Sequence, residues 1–100
     1  MSVIEVRETE AYSDWYTSLK DIQAKARILA RVRRMSLGNP GDVAPVGSGV
    51  SEMRVHYGPG YRVYFVKRGA TLFILLGGGD KSTQKDDIAA AIALAEELKE

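Results

Sequence analysis

The chain has 100 residues, no cysteine, a formal net charge of +1 and 45% hydrophobic residues. That length can bury one core and is short for two, and without cysteine there is neither a disulfide framework nor a thiolate metal site. No apolar run reaches the roughly 20 residues that span a bilayer, and the stretch from Met1 to Glu5 lacks the parts of a signal peptide, so one soluble, unprocessed, cytoplasmic domain over residues 1–100 is expected.

The near-neutral total covers an asymmetry. Up to residue 81, twelve Lys and Arg face eight Asp and Glu, and beyond it two face five. Such a distribution suits a basic face or an ordinary mixed surface.

In chain order, Ser2 to Arg7 alternates polar and apolar residues, which predicts a short strand. Tyr12, Trp15, Tyr16 and Leu19 then fall at i, i+3, i+4 and i+7, the spacing of an amphipathic helix whose aromatics belong to a core. A second helix is predicted from about Asp21 to about Leu37, stopped by Gly38-Asn39-Pro40-Gly41, with Ile22, Ala26, Leu29 and Val32 as its buried stripe. Lys20, Arg27, Arg31 and Arg34 project together from another side, as a solvated face or toward phosphates or an acidic partner. Residues 38–49 are rich in Gly, Pro and small side chains and are predicted as a loop.

Val50 to Tyr57, Tyr61 to Val66 and Thr71 to Leu76 read as the three strands of an antiparallel meander, joined by Gly58-Pro59-Gly60 and Lys67-Arg68-Gly69-Ala70. Alternation sets Met53, Val55 and Tyr57 against Arg54 and His56, and Tyr61, Val63 and Phe65 against Arg62 and Tyr64. Leu72 to Leu76 is apolar on both faces, as in a central strand. Helices are expected over one face, with the cationic side chains marking the other. Ile88, Ala91, Ile92, Ala95 and Leu98 predict a last helix, capped by Thr83 with Asp86 and Asp87 in its first turn. The fold class is α+β.

Several chemistries can be set aside. Gly77 to Ser82 lies between strand and helix like a nucleotide-binding loop, but Asp80 separates Gly79 from Lys81 and the phosphate-loop spacing fails. What remains is a phosphate site beside Lys81 or a flexible connection. No G-x-S-x-G elbow supports a serine hydrolase. His56 is the single histidine, so a multi-His metal centre is excluded and no metal or cofactor is expected. His56 reads as a proton acceptor or as a surface histidine without a chemical role. Arg54, Arg62 and Lys81 form the best chemical set, because guanidinium groups bind phosphate through paired hydrogen bonds, although salt bridges to Glu52 and Asp80 would also explain them.

Three segments, Gly38-Asn39-Pro40-Gly41-Asp42, Tyr57-Gly58-Pro59-Gly60-Tyr61-Arg62-Val63-Tyr64-Phe65 and Gly78-Gly79-Asp80-Lys81-Ser82-Thr83-Gln84, together resemble the addiction-module killer proteins. These are the HigB-like, phage Gp49-related branch of the RelE/ParE toxin superfamily, from type II toxin-antitoxin systems. The resemblance spans nearly the whole chain. It implies a RelE/ParE-like fold of an N-terminal strand, two helices, a three-stranded antiparallel meander and a C-terminal helix. It also implies a ribosome-dependent mRNA endoribonuclease that blocks translation and is neutralised by a co-encoded antitoxin, usually of the helix-turn-helix type. Operator DNA would be reached through the antitoxin alone, and no membrane is involved.

By the same resemblance Arg62 is the phosphate clamp, Lys81 a second charge stabiliser or proton donor, and Arg54 their support, with Lys85 also on the RNA-binding side. Many ribosome-dependent members place a Tyr or His near the C-terminus as acid or base, but residues 82–100 contain neither. His56, Tyr57 or Tyr64 would then substitute, or catalysis would rely mainly on positioning and charge. Tyr64 shares the predicted face of Arg62. An antitoxin segment would place acids over Arg27, Arg31 and Arg34. Two rival functions share the scaffold: a ParE-like inhibitor that binds DNA gyrase, and an inactive toxin retained as an antitoxin-bound corepressor.

Overall fold

A strand with apolar side chains on both faces must be covered on both, and the computed structural model of the chain, which describes residues 3–99, provides that cover around Leu72–Gly79. The elements run β1 (Glu5–Glu8), α1 (Glu10–Ser18), α2 (Ile22–Ser36), β2 (Val43–Gly47), β3 (Val50–Val55), β4 (Tyr61–Arg68), β5 (Leu72–Gly79), a 3₁₀ turn (Lys81–Thr83) and α3 (Gln84–Glu97). All five strands form one sheet in the order β1-β5-β4-β3-β2, with β1 parallel to β5 and the other pairs antiparallel. The expected α+β class and element order are present. Ser2, where the predicted first strand begins, lies outside the described residues.

The segment expected to be a loop is in part a strand. Val43–Gly47 pairs with β3 along the sheet edge, so the meander has four strands rather than three. Pro45 and a bulge between Pro45 and Gly47 erase its periodicity, and an edge strand tolerates both because its outer side completes no ladder.

The helices also divide differently from expectation. On one face Tyr12, Ile28 and Met35 meet Met53, Val55, Val63, Phe65, Phe73 and Leu75. On the other, Ala91 and Ala95 of α3 pack over Val50, Tyr64, Val66, Ile74 and Leu76, their small side chains admitting the helix close to the strands. This second face is therefore a core layer over most of its length rather than an open cationic surface.

Helix α2 sits in a different rotational phase from the one predicted. Ala24, Ile28 and Met35 are wholly buried, whereas Ile22 is 81% and Leu29 53% exposed. The sequence carries two apolar stripes on this helix, and the fold buries the one that also turns Arg31 toward the sheet. Asp21 fixes the helix start, its Oδ1 accepting from the Gln23 and Ala24 N–H groups at 3.0 and 3.1 Å.

Ile28→Ala is expected to lower unfolding stability by about 2–5 kcal/mol, while Ile22→Ala stays within about 0.5 kcal/mol of wild type. Urea titration ranks the two, and the reverse order would contradict the observed phase.

Candidate functional site

Beyond Glu52 the sheet face under α3 opens, at the end where β3 turns into β4. Arg54 and Arg62 are direct cross-strand partners there, an arrangement that like charges disfavour. Glu52, only 3% exposed, lies between them. Its Oε2 accepts from Arg54 Nε at 3.0 Å and from Arg62 Nε at 3.4 Å, and its Oε1 accepts from Gln84 Nε2 of α3 at 3.0 Å. Burial pushes the Glu52 carboxyl up, but the hydrogen bonds from Arg54 and Gln84 and the charge of Arg62 outweigh it and hold the group below its ordinary value. The same bond to Glu52 holds Arg54 above its ordinary value. Arg62 Nη1 donates to the Gly60 carbonyl at 2.8 Å, and its Nη2 has no partner among the described residues.

The glycine-rich segment after β5 delivers Lys81. A Cβ on Gly78 would lie 2.4 Å from ring atoms of Trp15, and one on Gly79 would lie 1.8 Å from Asp87 Oδ2. Both glycines are thus demanded by close packing, one against α1 and the other against α3. Asp80 then caps the 3₁₀ turn, its Oδ1 accepting from the Ser82 N–H at 2.8 Å and the Ser82 hydroxyl at 2.5 Å. Thr83 occupies the position before α3 but donates its hydroxyl to Asp87 at 2.5 Å instead of capping the backbone. The turn sets Lys81 beside the β3–β4 hairpin, where its N–H donates to the Pro59 carbonyl at 3.4 Å. Its Nζ has no partner among the described residues.

Arg54, His56, Gly60, Tyr61, Arg62 and Lys81 line one cleft of about 150 Å³. His56 Nε2 lies 2.6 Å from Asp42 Oδ2, and Asp42 Oδ1 lies 3.6 Å from Arg54 Nη1. The bond from His56 holds the Asp42 carboxyl below its ordinary value against the opposing effect of burial, with Arg54 and Arg31 adding to the depression. Sequence reasoning placed Asp42 in a motif without giving it a site role. Its partner stands 14 residues away just past the end of β3, and the unrecognised β2–β3 pairing is what brings them together.

The remaining candidates separate from this cleft. Tyr64 is fully buried under α3, and its hydroxyl has no hydrogen-bond partner among the described residues. Burial, reinforced by the charges of Glu52 and Asp87, pushes that hydroxyl up to about 12. Tyr64 shares the sheet face of Arg62 as expected, yet a closed, un-ionised phenol cannot meet a substrate in this conformation. Lys85 is exposed on the first turn of α3 and does not line the cleft. Tyr57 leans on the start of α2, donating to Asp21 Oδ2 at 3.2 Å, with the Arg27 guanidinium 4.7 Å from its ring centre. Arg31 does not belong to an exposed basic stripe, because its guanidinium is bonded to the carbonyls of Arg54, Pro40 and Asp42. Arg34 is exposed.

Residues 14–100 match the model of the phage-derived Gp49-like proteins (DUF891). The chain belongs to the Gp49-like family. That family is of the addiction-module killer type. A relative from Haemophilus influenzae, described as an uncharacterized protein, is 46% identical over 95 residues, covering 95% of this chain and 96% of that one. No helix of this Gp49-like protein is long and apolar enough, among the described residues, to cross a membrane.

Glu52 and Asp42 both titrate below their ordinary values, so the stability they contribute is present above the ordinary carboxylate range and is lost as pH falls through the depressed values. Glu52→Gln in this Gp49-like protein is expected to reduce stability at pH 7 by about 2–4 kcal/mol, by leaving two guanidinium groups opposed, and to flatten the acid limb of stability against pH. Urea unfolding from pH 7 down to pH 3 checks both effects. Wild-type stability in the variant at pH 7 would remove Glu52 from its assigned place.

Proposed function

We propose that the chain is the toxin of a type II toxin-antitoxin module and cleaves mRNA on the translating ribosome. The observation that carries the reading is the convergence of Arg54, Arg62, Lys81 and His56 on one cleft in a chain of the addiction-module killer type. At about 150 Å³ the cleft is smaller than the roughly 300–1,000 Å³ of pockets that enclose free metabolites, and it is open. A backbone phosphate presented by a polymer suits it better.

In the proposed reaction the ribose 2′-oxygen attacks the adjacent phosphorus while His56 takes its proton. The bond to the 5′-oxygen breaks as Lys81 Nζ protonates the leaving oxygen, giving a 2′,3′-cyclic phosphate and a 5′-hydroxyl. Arg62 and Arg54 stabilise the charge that builds on the non-bridging oxygens, Arg62 through Nη2 and Arg54 through the edge of its guanidinium turned away from Glu52. Tyr64 has no part in this scheme.

Arg62→Ala is expected to lower cleavage by roughly a hundredfold or more, the usual scale for losing one preorganised charge stabiliser. Mapping of mRNA 5′ ends after induction reads it. Unchanged transcripts together with wild-type toxicity would count against cleavage, and a DNA-damage response with intact transcripts would favour the gyrase-binding alternative.

The antitoxin, in this reading a small helix-turn-helix protein from the adjacent reading frame, meets the outer side of α2. Ile22 and Leu29 are exposed there, next to the exposed Arg33 and Arg34, which suits an amphipathic segment with acidic flanks. Arg33→Glu with Arg34→Glu is expected to slow association roughly tenfold and to weaken its salt dependence. Stopped-flow mixing at two ionic strengths measures both, and unaltered rates would move the partner elsewhere.

A further inference from the structure

The His56 imidazole is 76% exposed at the end of β3, where a histidine ring ordinarily samples several rotamers and both neutral tautomers. Here one contact restricts it. Asp42 Oδ2 accepts from Nε2 at 2.6 Å, which leaves Nδ1 as the ring nitrogen with a lone pair whenever the ring is neutral.

Asp42 is itself held with unusual care for an exposed residue. Its carbonyl accepts from the Arg54 N–H at 3.0 Å and from Arg31 Nη2 at 3.4 Å. Arg31 also donates Nη1 to the Arg54 carbonyl and Nη2 to the Pro40 carbonyl, the latter at 3.0 Å. One guanidinium from α2 therefore ties the end of β3, which leads into His56, to the segment bearing Asp42. Gly41 makes room for it: a Cβ there would lie 2.9 Å from Arg31 Nη2, at a φ of +77° that side-chain-bearing residues rarely adopt.

We propose that Asp42 is a positioning residue that orients His56 for proton transfer, and that Arg31 fixes this pair by clamping the two backbone segments on which it stands. The proposal rests on reading the cleft as an RNA-cleaving site. When Nδ1 accepts the 2′-hydroxyl proton, the ring becomes an imidazolium whose Nε2–H stays on the Asp42 carboxylate. The carboxylate stabilises the positive charge without itself taking the proton. The oxygen–phosphorus bond to O2′ forms as the bond to O5′ breaks, and O5′ receives its proton from Lys81. Afterwards imidazolium and lysine exchange protons with water and both return to their starting states.

Two measurements test it. Because His56 is the sole histidine, its ring nitrogens give unambiguous ¹⁵N resonances. The wild-type neutral ring should show a single Nε2–H tautomer, and Asp42→Ala or Arg31→Met should each move the nitrogen shifts toward those of an averaging ring. Unchanged shifts in Asp42→Ala would overturn the orienting role, and unchanged shifts in Arg31→Met alone would overturn the clamp.

The second measurement is a kinetic cycle on ribosome-bound mRNA with Asp42→Ala, His56→Ala and the double variant. Asp42→Ala should fall roughly tenfold to a hundredfold below wild type, and the double variant should be no slower than His56→Ala alone. Fully multiplying losses would show that Asp42 acts independently of His56 and would overturn the proposal. If the wild type cleaves no mRNA, the functional reading fails by itself, while the nitrogen shifts still decide whether Asp42 and Arg31 hold the ring.

Discussion

Arg54 and Arg62 face each other in register across β3 and β4, and the buried carboxylate of Glu52 between them is the contact on which the open end of the sheet depends. An ion pair taken out of water is weak evidence for stability, since desolvation offsets much of the attraction. Its effect here is geometrical. Holding both Nε atoms on one carboxylate fixes how the two guanidinium groups sit in the cleft that they line. Gln84 grips the second Glu52 oxygen from the first residue of α3, and this couples the arginine geometry to the docking of the last helix.

A second constraint acts from the opposite face. The phase of α2 that buries Ile28 and Met35 is the phase that directs Arg31 at the carbonyls of Pro40, Asp42 and Arg54. Packing and site geometry are therefore two results of one helix rotation. Turning α2 to bury Ile22 and Leu29 would bring those side chains inward and carry the guanidinium away from the β2–β3 segment. The apolar residues left outside, Ile22 and Leu29, are ones that the core does not need.

The sequence made the order of elements legible because three of its signals are local: the aromatic spacing of α1, the alternation in β3 and β4, and the apolar run of β5. It concealed features that depend on pairing. β2 has too many small residues to alternate visibly, and α2 has two apolar stripes whose choice is settled by what each meets. For the site, Arg54, Arg62 and Lys81 could be singled out because cations recur beside turn motifs, whereas Asp42 could not. A short polar residue in a Gly-Pro segment looks like turn chemistry until the β2–β3 pairing brings it against His56. Tyr64 illustrates the opposite error: alternation gave its face correctly and carried no information that α3 would close over it.

The glycine-rich run before α3 shows why motif resemblance has to be resolved into contacts. With the phosphate-loop spacing broken, the run still reads from sequence as a phosphate site beside Lys81 or as a flexible connection. Instead Trp15 lies against Gly78 on one side and Asp87 against Gly79 on the other, so the missing side chains bring two helices close to the end of β5. With the strand gripped from both faces, the chain turns at Asp80, and the Asp80 cap on Ser82 fixes the direction of that turn. Lys81 is thereby set against Pro59 and Gly60, at the mouth of the arginine cleft. The glycines therefore act on the cleft at one remove, by positioning the lysine through the packing of two helices.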